Sequence, residues 1–108
     1  MLYDKRWDAK LKTTEIEPWR KALLDAADLI EQRGHAKKTL EDIDGSLCMG
    51  GAISMAITGK SFGLHPDMME AYCALHDFCG GSFVTYNNAP ERTASEVIAT
   101  LRACALES

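Results

Sequence analysis

Cys48 stands in the stretch DGSLCMGGA (residues 44–52), where an acidic turn runs into what reads as the start of a helix. A thiol at such a place is a candidate nucleophile, because the amides of a helix start favour the thiolate. Nucleophilic catalysis also needs a base within reach. His35, His65 and His76 are the available imidazoles, and their separation in the chain places none of them beside the thiol. The competing reading is architectural. Cys48, Gly51, Ala52 and Ala56 are small, and a free cysteine commonly packs as a small hydrophobe. With no activating partner to name, close helix packing is preferred, no catalytic residue is assigned, and a Cys48-dependent enzyme is kept as the weaker alternative.

Other constellations in the chain face the same choice between chemistry and architecture. Gly45 and Gly50 have the G-x-x-x-x-G spacing of a phosphate loop, but Gly51 occupies the position that needs lysine. A calcium loop over the same stretch would put its first ligand on Leu40 and its bidentate twelfth on Gly51, so that reading fails too. Cys73, His76 and Cys79 lie at i, i+3 and i+6 of one expected helix, which spreads them through about 120° of its surface. Structural zinc wants four closed ligands, so these residues are read as a cysteine-lined core face, and no metal or cofactor is implied. Arg33, Lys37 and Lys38 read as a solvated helix end. Asn87, Asn88 and Arg92 sit at a turn before the last expected helix, where backbone amides can hold an anion. Asparagine also serves turn geometry for its own sake.

These residues must be positioned by a single domain, for 108 residues suffice for one modest core. Twelve basic against sixteen acidic side chains give a net charge of −4, which argues against general nucleic-acid binding. The opening MLYDKRWDAK has no apolar run of signal-peptide type, and no stretch is apolar enough for a membrane span. The four cysteines are then expected reduced and buried, in the cytoplasm.

The pattern predicts an arm over 1–17, anchored by Trp7 and Leu11, followed by one helical domain over 18–108. A helix over 18–33 opens on Pro18, closes on Gly34 and buries Trp19, Ala22, Leu23, Ala26 and Ile30. Residues 35–46 form a polar connection with Leu40 and Ile43 tucked inward. A short helix over about 47–58 ends near Gly59, and a third runs from His65–Pro66 to about Cys79, with Met68, Met69, Tyr72, Cys73 and His76 on one side. Residues 82–86, SFVTY, are β-prone. The last helix, 93–106, starts with a capping box of Thr93 and Glu96 and carries Val97, Ile98, Leu101, Cys104 and Ala105 inward. The fold class is therefore mostly α: a compact bundle of about four helices with at most one short β element. Within it, CMGGA is expected to bring the 47–58 helix close to the 19–33 or 93–106 helix.

Three segments carry a resemblance: LLDAADLIEQRG (23–34), DGSLCMGGA (44–52) and YNNAPERTASEVIATLRACA (86–105). The chain resembles a family of small phage and bacterial proteins catalogued as a domain of unknown function, with motifs of the types D-G-x-x-C-x-x-G-A and W-N-D-x-x-x-R-T-x-x-E-V. Tyr86 and Asn88 depart from the second motif, replacing its tryptophan and aspartate. The resemblance implies a compact helical domain and brings no activity with it. The expected function is a small non-enzymatic binding protein, a phage accessory protein engaging a host or phage protein in the host cytoplasm, with an anti-defence role as one form of it. The alternative is a small-molecule or nucleotide binder built on Asn87, Asn88 and Arg92.

Overall fold

Pro18 supplies a preset φ at a helix start, and from there Trp19, Ala22, Leu23, Ala26, Ala27 and Ile30 bury one continuous stripe. The computed structural model describes residues 16–107, so the expected arm and its anchors Trp7 and Leu11 lie, apart from Ile16 and Glu17, outside the described residues. Among those, the helices in chain order are α1 Pro18–Arg33, α2 Met49–Thr58, α3 Pro66–Cys79, α4 Phe83–Asn88 and α5 Ala94–Glu107. The molecule is mostly α. α1 is the central element and packs on α5, α2 and α3. Its stripe meets Leu47, Met49 and Ile53 from the α2 side, Leu75 from α3, and Val97, Leu101 and Cys104 from α5 in one core. No helix of the described residues is long and apolar enough to cross a membrane.

Each boundary has a chemical cause. The Gly34 amide donates to Ile30 O at 2.8 Å and closes α1. The Cys48 Sγ accepts the Gly51 N–H at 3.2 Å, which makes the cysteine the N-cap of α2 and moves that helix start to Met49. His65 caps α3 through its ring nitrogen, and Ser82 caps α4 by accepting from Thr85 N at 3.3 Å. At α5 the capping box is formed in both directions: Thr93 N donates to Glu96 Oε1 at 2.9 Å, and Glu96 N donates to Thr93 Oγ1 at 3.2 Å.

The structure departs from the sequence expectations at three places. The β-prone 82–86 run is helical, because Phe83 and Asn87, one turn apart, are both buried on one helix face while Ser82 caps it. Packing overrides the strand propensity of Val84, Thr85 and Tyr86. Bridge-like pairing occurs instead in the polar connection, where Leu47 pairs with His35 in parallel and with Glu41 in antiparallel sense. Second, Leu40 and Ile43 do not tuck inward: they are 43% and 101% exposed, because the Leu47 pairing holds the connection as a surface ribbon. Third, the buried side of α3 is Met68, Ala71 and Leu75; Met69, Cys73 and His76 face water. Only Cys104 among the cysteines is fully buried.

Candidate functional site

Asn87 joins three segments of chain. Its Oδ1 accepts the Met49 backbone N–H at 3.0 Å and lies 2.8 Å from His35 Nε2, while its Nδ2 donates to Ala36 O at 3.1 Å and Asn88 Oδ1 at 2.9 Å. A backbone amide can only donate, so the oxygen of this amide is fixed, and His35 Nε2 must carry the proton it shares with Asn87. Asn87 is thus saturated and 2% exposed, a tie between the 35–36 ribbon, the start of α2 and the end of α4.

Asn88 extends the tie. Its Oδ1 accepts the Lys38 backbone N–H at 2.8 Å, and that holds Lys38 at a φ of 66°, a left-handed conformation that costs a side-chain-bearing residue. The same reasoning leaves the other terminal atom, Nδ2, as a donor, and no acceptor among the described residues takes it. Lys37 is not merely solvated: its Nζ donates to Ala89 O at 2.7 Å and Pro90 O at 3.0 Å. Arg33 pairs with Glu41 at 2.9 Å. The Lys38 ammonium has no hydrogen-bond or ion-pair partner among the described residues.

Arg92 makes no hydrogen bond to either asparagine side chain. Its guanidinium stacks 3.7 Å over the Tyr86 ring, its Nε donates to Tyr86 O at 3.0 Å, and Glu96 approaches it at 3.7 Å. The Thr93 amide, with help from Arg92, holds the Glu96 carboxyl below the ordinary carboxylate range.

Between Asn88 and the ribbon opens a groove of about 360 Å³, in the size range of small-ligand sites. Leu40, Tyr72, Phe83, Val84 and Gly50 form its apolar wall, and Lys38, Thr39, Cys48, Asn87 and Asn88 complete it. The reversal at Gly80–Gly81 folds α4 back on α3 and sets the Phe83 ring 5.1 Å from that of Tyr72. Tyr72 Oη donates to Gly50 O at 3.1 Å; burial, and then the nearby Cys48, push its phenol up. Sequence reasoning singled out Asn87, Asn88 and Cys48 but not the aromatic wall, whose one legible signal was the i, i+4 pairing of Phe83 with Asn87.

The close approach expected of CMGGA is real but has a different partner. A Cβ on Gly51 would overlap the Leu40 carbonyl, so what this glycine admits is the backbone of the ribbon, while α2 as a whole packs on α1 as expected. Ala52 does sit in the core. Cys48 receives the Gly51 amide and has no imidazole in hydrogen-bond reach. His35 is bound to Asn87, His65 to the Asp67 amide, and His76 Nδ1 lies 2.9 Å from Gly81 O. Cys73, His76 and Cys79 do not converge, and among the described residues no group of three or more metal-binding side chains forms.

A second surface feature lies at the ribbon's far end. Ile43 is fully exposed at a tight turn in which Asp42 N donates to Ser46 O at 2.8 Å and Gly45 N donates to Asp42 O at 2.9 Å. Asp42 Oδ1 accepts the Ile43 amide at 2.7 Å and Asp44 Oδ1 accepts the Ser46 amide at 3.0 Å. The Ser46 bond holds the Asp44 carboxyl below its ordinary range.

Fold and site together define a small helical domain whose motif residues serve as caps, ties and one close approach, around an apolar groove. Residues 16–107 match DUF6197, a family of unknown function, and the chain belongs to that family. No curated protein and no solved structure is significantly similar to it.

Proposed function

We propose that this chain acts by binding a protein partner and not by catalysis, with Ile43 as an anchor. The supporting observation is an isoleucine as exposed as in an open chain, presented on a turn whose own hydrogen bonds hold it still, between Asp42 and Asp44. Burying such a side chain on a partner is worth about 1.5–3 kcal/mol. The preordered turn has little freedom left to lose on binding. The partner suited to it offers an apolar pocket with a basic rim. On the phage setting that the resemblance implies, that partner is a host or phage protein in a reducing cytoplasm, and blunting a defence system is one role such binding serves.

The test compares the intact protein with Ile43→Ser and with Leu106→Ser, an exposed control 73% accessible on α5. Each serves as bait in host lysate, and the captured proteins are identified by mass spectrometry. The expected result is a partner held by the parent and by Leu106→Ser and lost with Ile43→Ser. Identical capture by all three baits, or no reproducible capture, rejects the reading.

A second reading, a small-molecule binder, is favoured by one observation: Asn87 and Asn88 do line a groove of about 360 Å³. Because Arg92 is spent on Tyr86 and the wall is apolar, this reading moves away from nucleotides.

A further inference from the structure

The groove wall carries two side-chain N–H donors that no acceptor among the described residues takes. Thr39 Oγ1 donates to Glu41 O, Tyr72 Oη donates to Gly50 O, and Cys48 Sγ accepts from Gly51 N. Asn87 is saturated on both its atoms. The Thr39 and Tyr72 oxygens keep acceptor lone pairs, and the side-chain N–H donors without a partner among the described residues are the Lys38 ammonium and the Asn88 Nδ2, both on residues of the groove wall. The Asn88 orientation is fixed by the Lys38 backbone amide, which occupies Oδ1 at 2.8 Å. A cation and a neutral donor beside an apolar wall of Leu40, Tyr72, Phe83 and Val84 define a complementary ligand: an apolar body ending in one carboxylate.

We infer that the groove binds a small carboxylate amphiphile, with Lys38 and Asn88 receiving the carboxylate and the Leu40–Tyr72–Phe83–Val84 wall receiving the apolar body. This rests on the small-molecule reading of the groove and is independent of the Ile43 anchor. A charged acceptor meeting Lys38 and Asn88 gains charge-assisted hydrogen bonds, which are stronger than neutral ones. The apolar body gains by leaving water. A ligand with an ammonium head meets the Lys38 charge instead.

The experiment is titration calorimetry on the intact chain at pH 7 with octanoate, octanol and octylammonium, each below its aggregation concentration. Octanoate is expected to bind about tenfold more tightly than octylammonium, and Lys38→Gln to lose about tenfold toward octanoate while leaving octanol unchanged. Asn88→Asp keeps the acceptor for the Lys38 amide and replaces the free donor by charge. It should reject octanoate and favour octylammonium, while its far-ultraviolet circular dichroism stays that of the parent. Binding of all three probes with equal affinity, or an unchanged octanoate affinity in Lys38→Gln, overturns the inference and leaves only an apolar groove that can take a partner's side chain. No binding of any probe removes the small-molecule reading as well.

Discussion

A methyl group on Gly51 would stand 2.9 Å from the Leu40 carbonyl carbon and closer still to its oxygen, and a backbone carbonyl cannot swing aside as a side-chain tip can. Gly51→Leu is therefore expected to lower the melting temperature by roughly 5 °C or more, since overpacking costs about 1–3 kcal/mol and relief of glycine's helix penalty returns at most about 1 kcal/mol. Gly50 differs although it too is buried. Its added Cβ would meet Phe83, Tyr72 and Leu40 side chains at 3.5, 3.7 and 3.8 Å, ordinary contact distances. Gly50→Ala should melt at or slightly above the parent. Thermal melts of the two variants check both claims, and a Gly51→Leu protein as stable as the parent would refute the close approach. At this scale the sequence showed that a glycine was needed but not what it faced. That depends on a ribbon whose path is set by the pairing of Leu47 with two distant residues.

Helices α1, α3 and α5 were legible because local chemistry and tertiary packing agree there: Pro18 and Gly34 bracket the first, His65–Pro66 opens the second, and the Thr93–Glu96 box opens the third. α4 was not, because residues 82–86 carry strand-forming types and only the burial of Phe83 and Asn87 makes them helical. The same gap hid half of the groove, whose α4 wall exists only once that segment is a helix lying on α3. The caps also fix how stability responds to acid. Glu96 is held below the ordinary carboxylate range by the Thr93 amide, Glu17 by the Arg20 side chain, and Asp44 by the Ser46 amide. A depressed carboxyl contributes stability that is present above the unfolded pKa of about 4 and is lost as pH falls through the folded value. The melting temperature is thus expected to fall as pH is lowered from 5 toward 2, and Glu96→Ala to flatten that fall while lowering stability at neutral pH. An acid limb as steep in Glu96→Ala as in the parent would count against the cap.

Across the whole molecule, the four thiols sit in different environments. Cys73 is exposed, Cys48 and Cys79 are half-buried, and Cys104 is in the core. Burial, with Cys104 nearby, pushes the Cys79 thiol up against a smaller opposing effect of Arg92. Iodoacetamide at neutral pH should label Cys73 first, Cys48 and Cys79 slowly, and Cys104 only after unfolding, as read by peptide mass mapping. Fast, selective labelling of Cys48 would instead restore the nucleophile reading, because only an activated thiolate outruns an open surface cysteine. The expectation of buried thiols erred at Cys73 because helical period alone could not say which side of α3 meets α1.

The most extensive helix pair joins α1 to α5, the first and last helices described, with Arg20 reaching Ala105 O at 2.9 Å and Arg102 reaching Asp28 and Glu31 at 2.9 Å each. That pairing has a consequence for birth on the ribosome. The apolar stripe of α1 emerges well before the surface that covers it. At about 5–20 residues per second, roughly 4–15 s pass between synthesis of the end of α1 and that of the end of α5. During that interval Leu23, Ala26 and Ile30 have only α2 and α3 to lean on, and the nascent chain offers a sticky face to chaperones or to neighbouring chains on the same message. Emergence of α5 is then the event that closes the core.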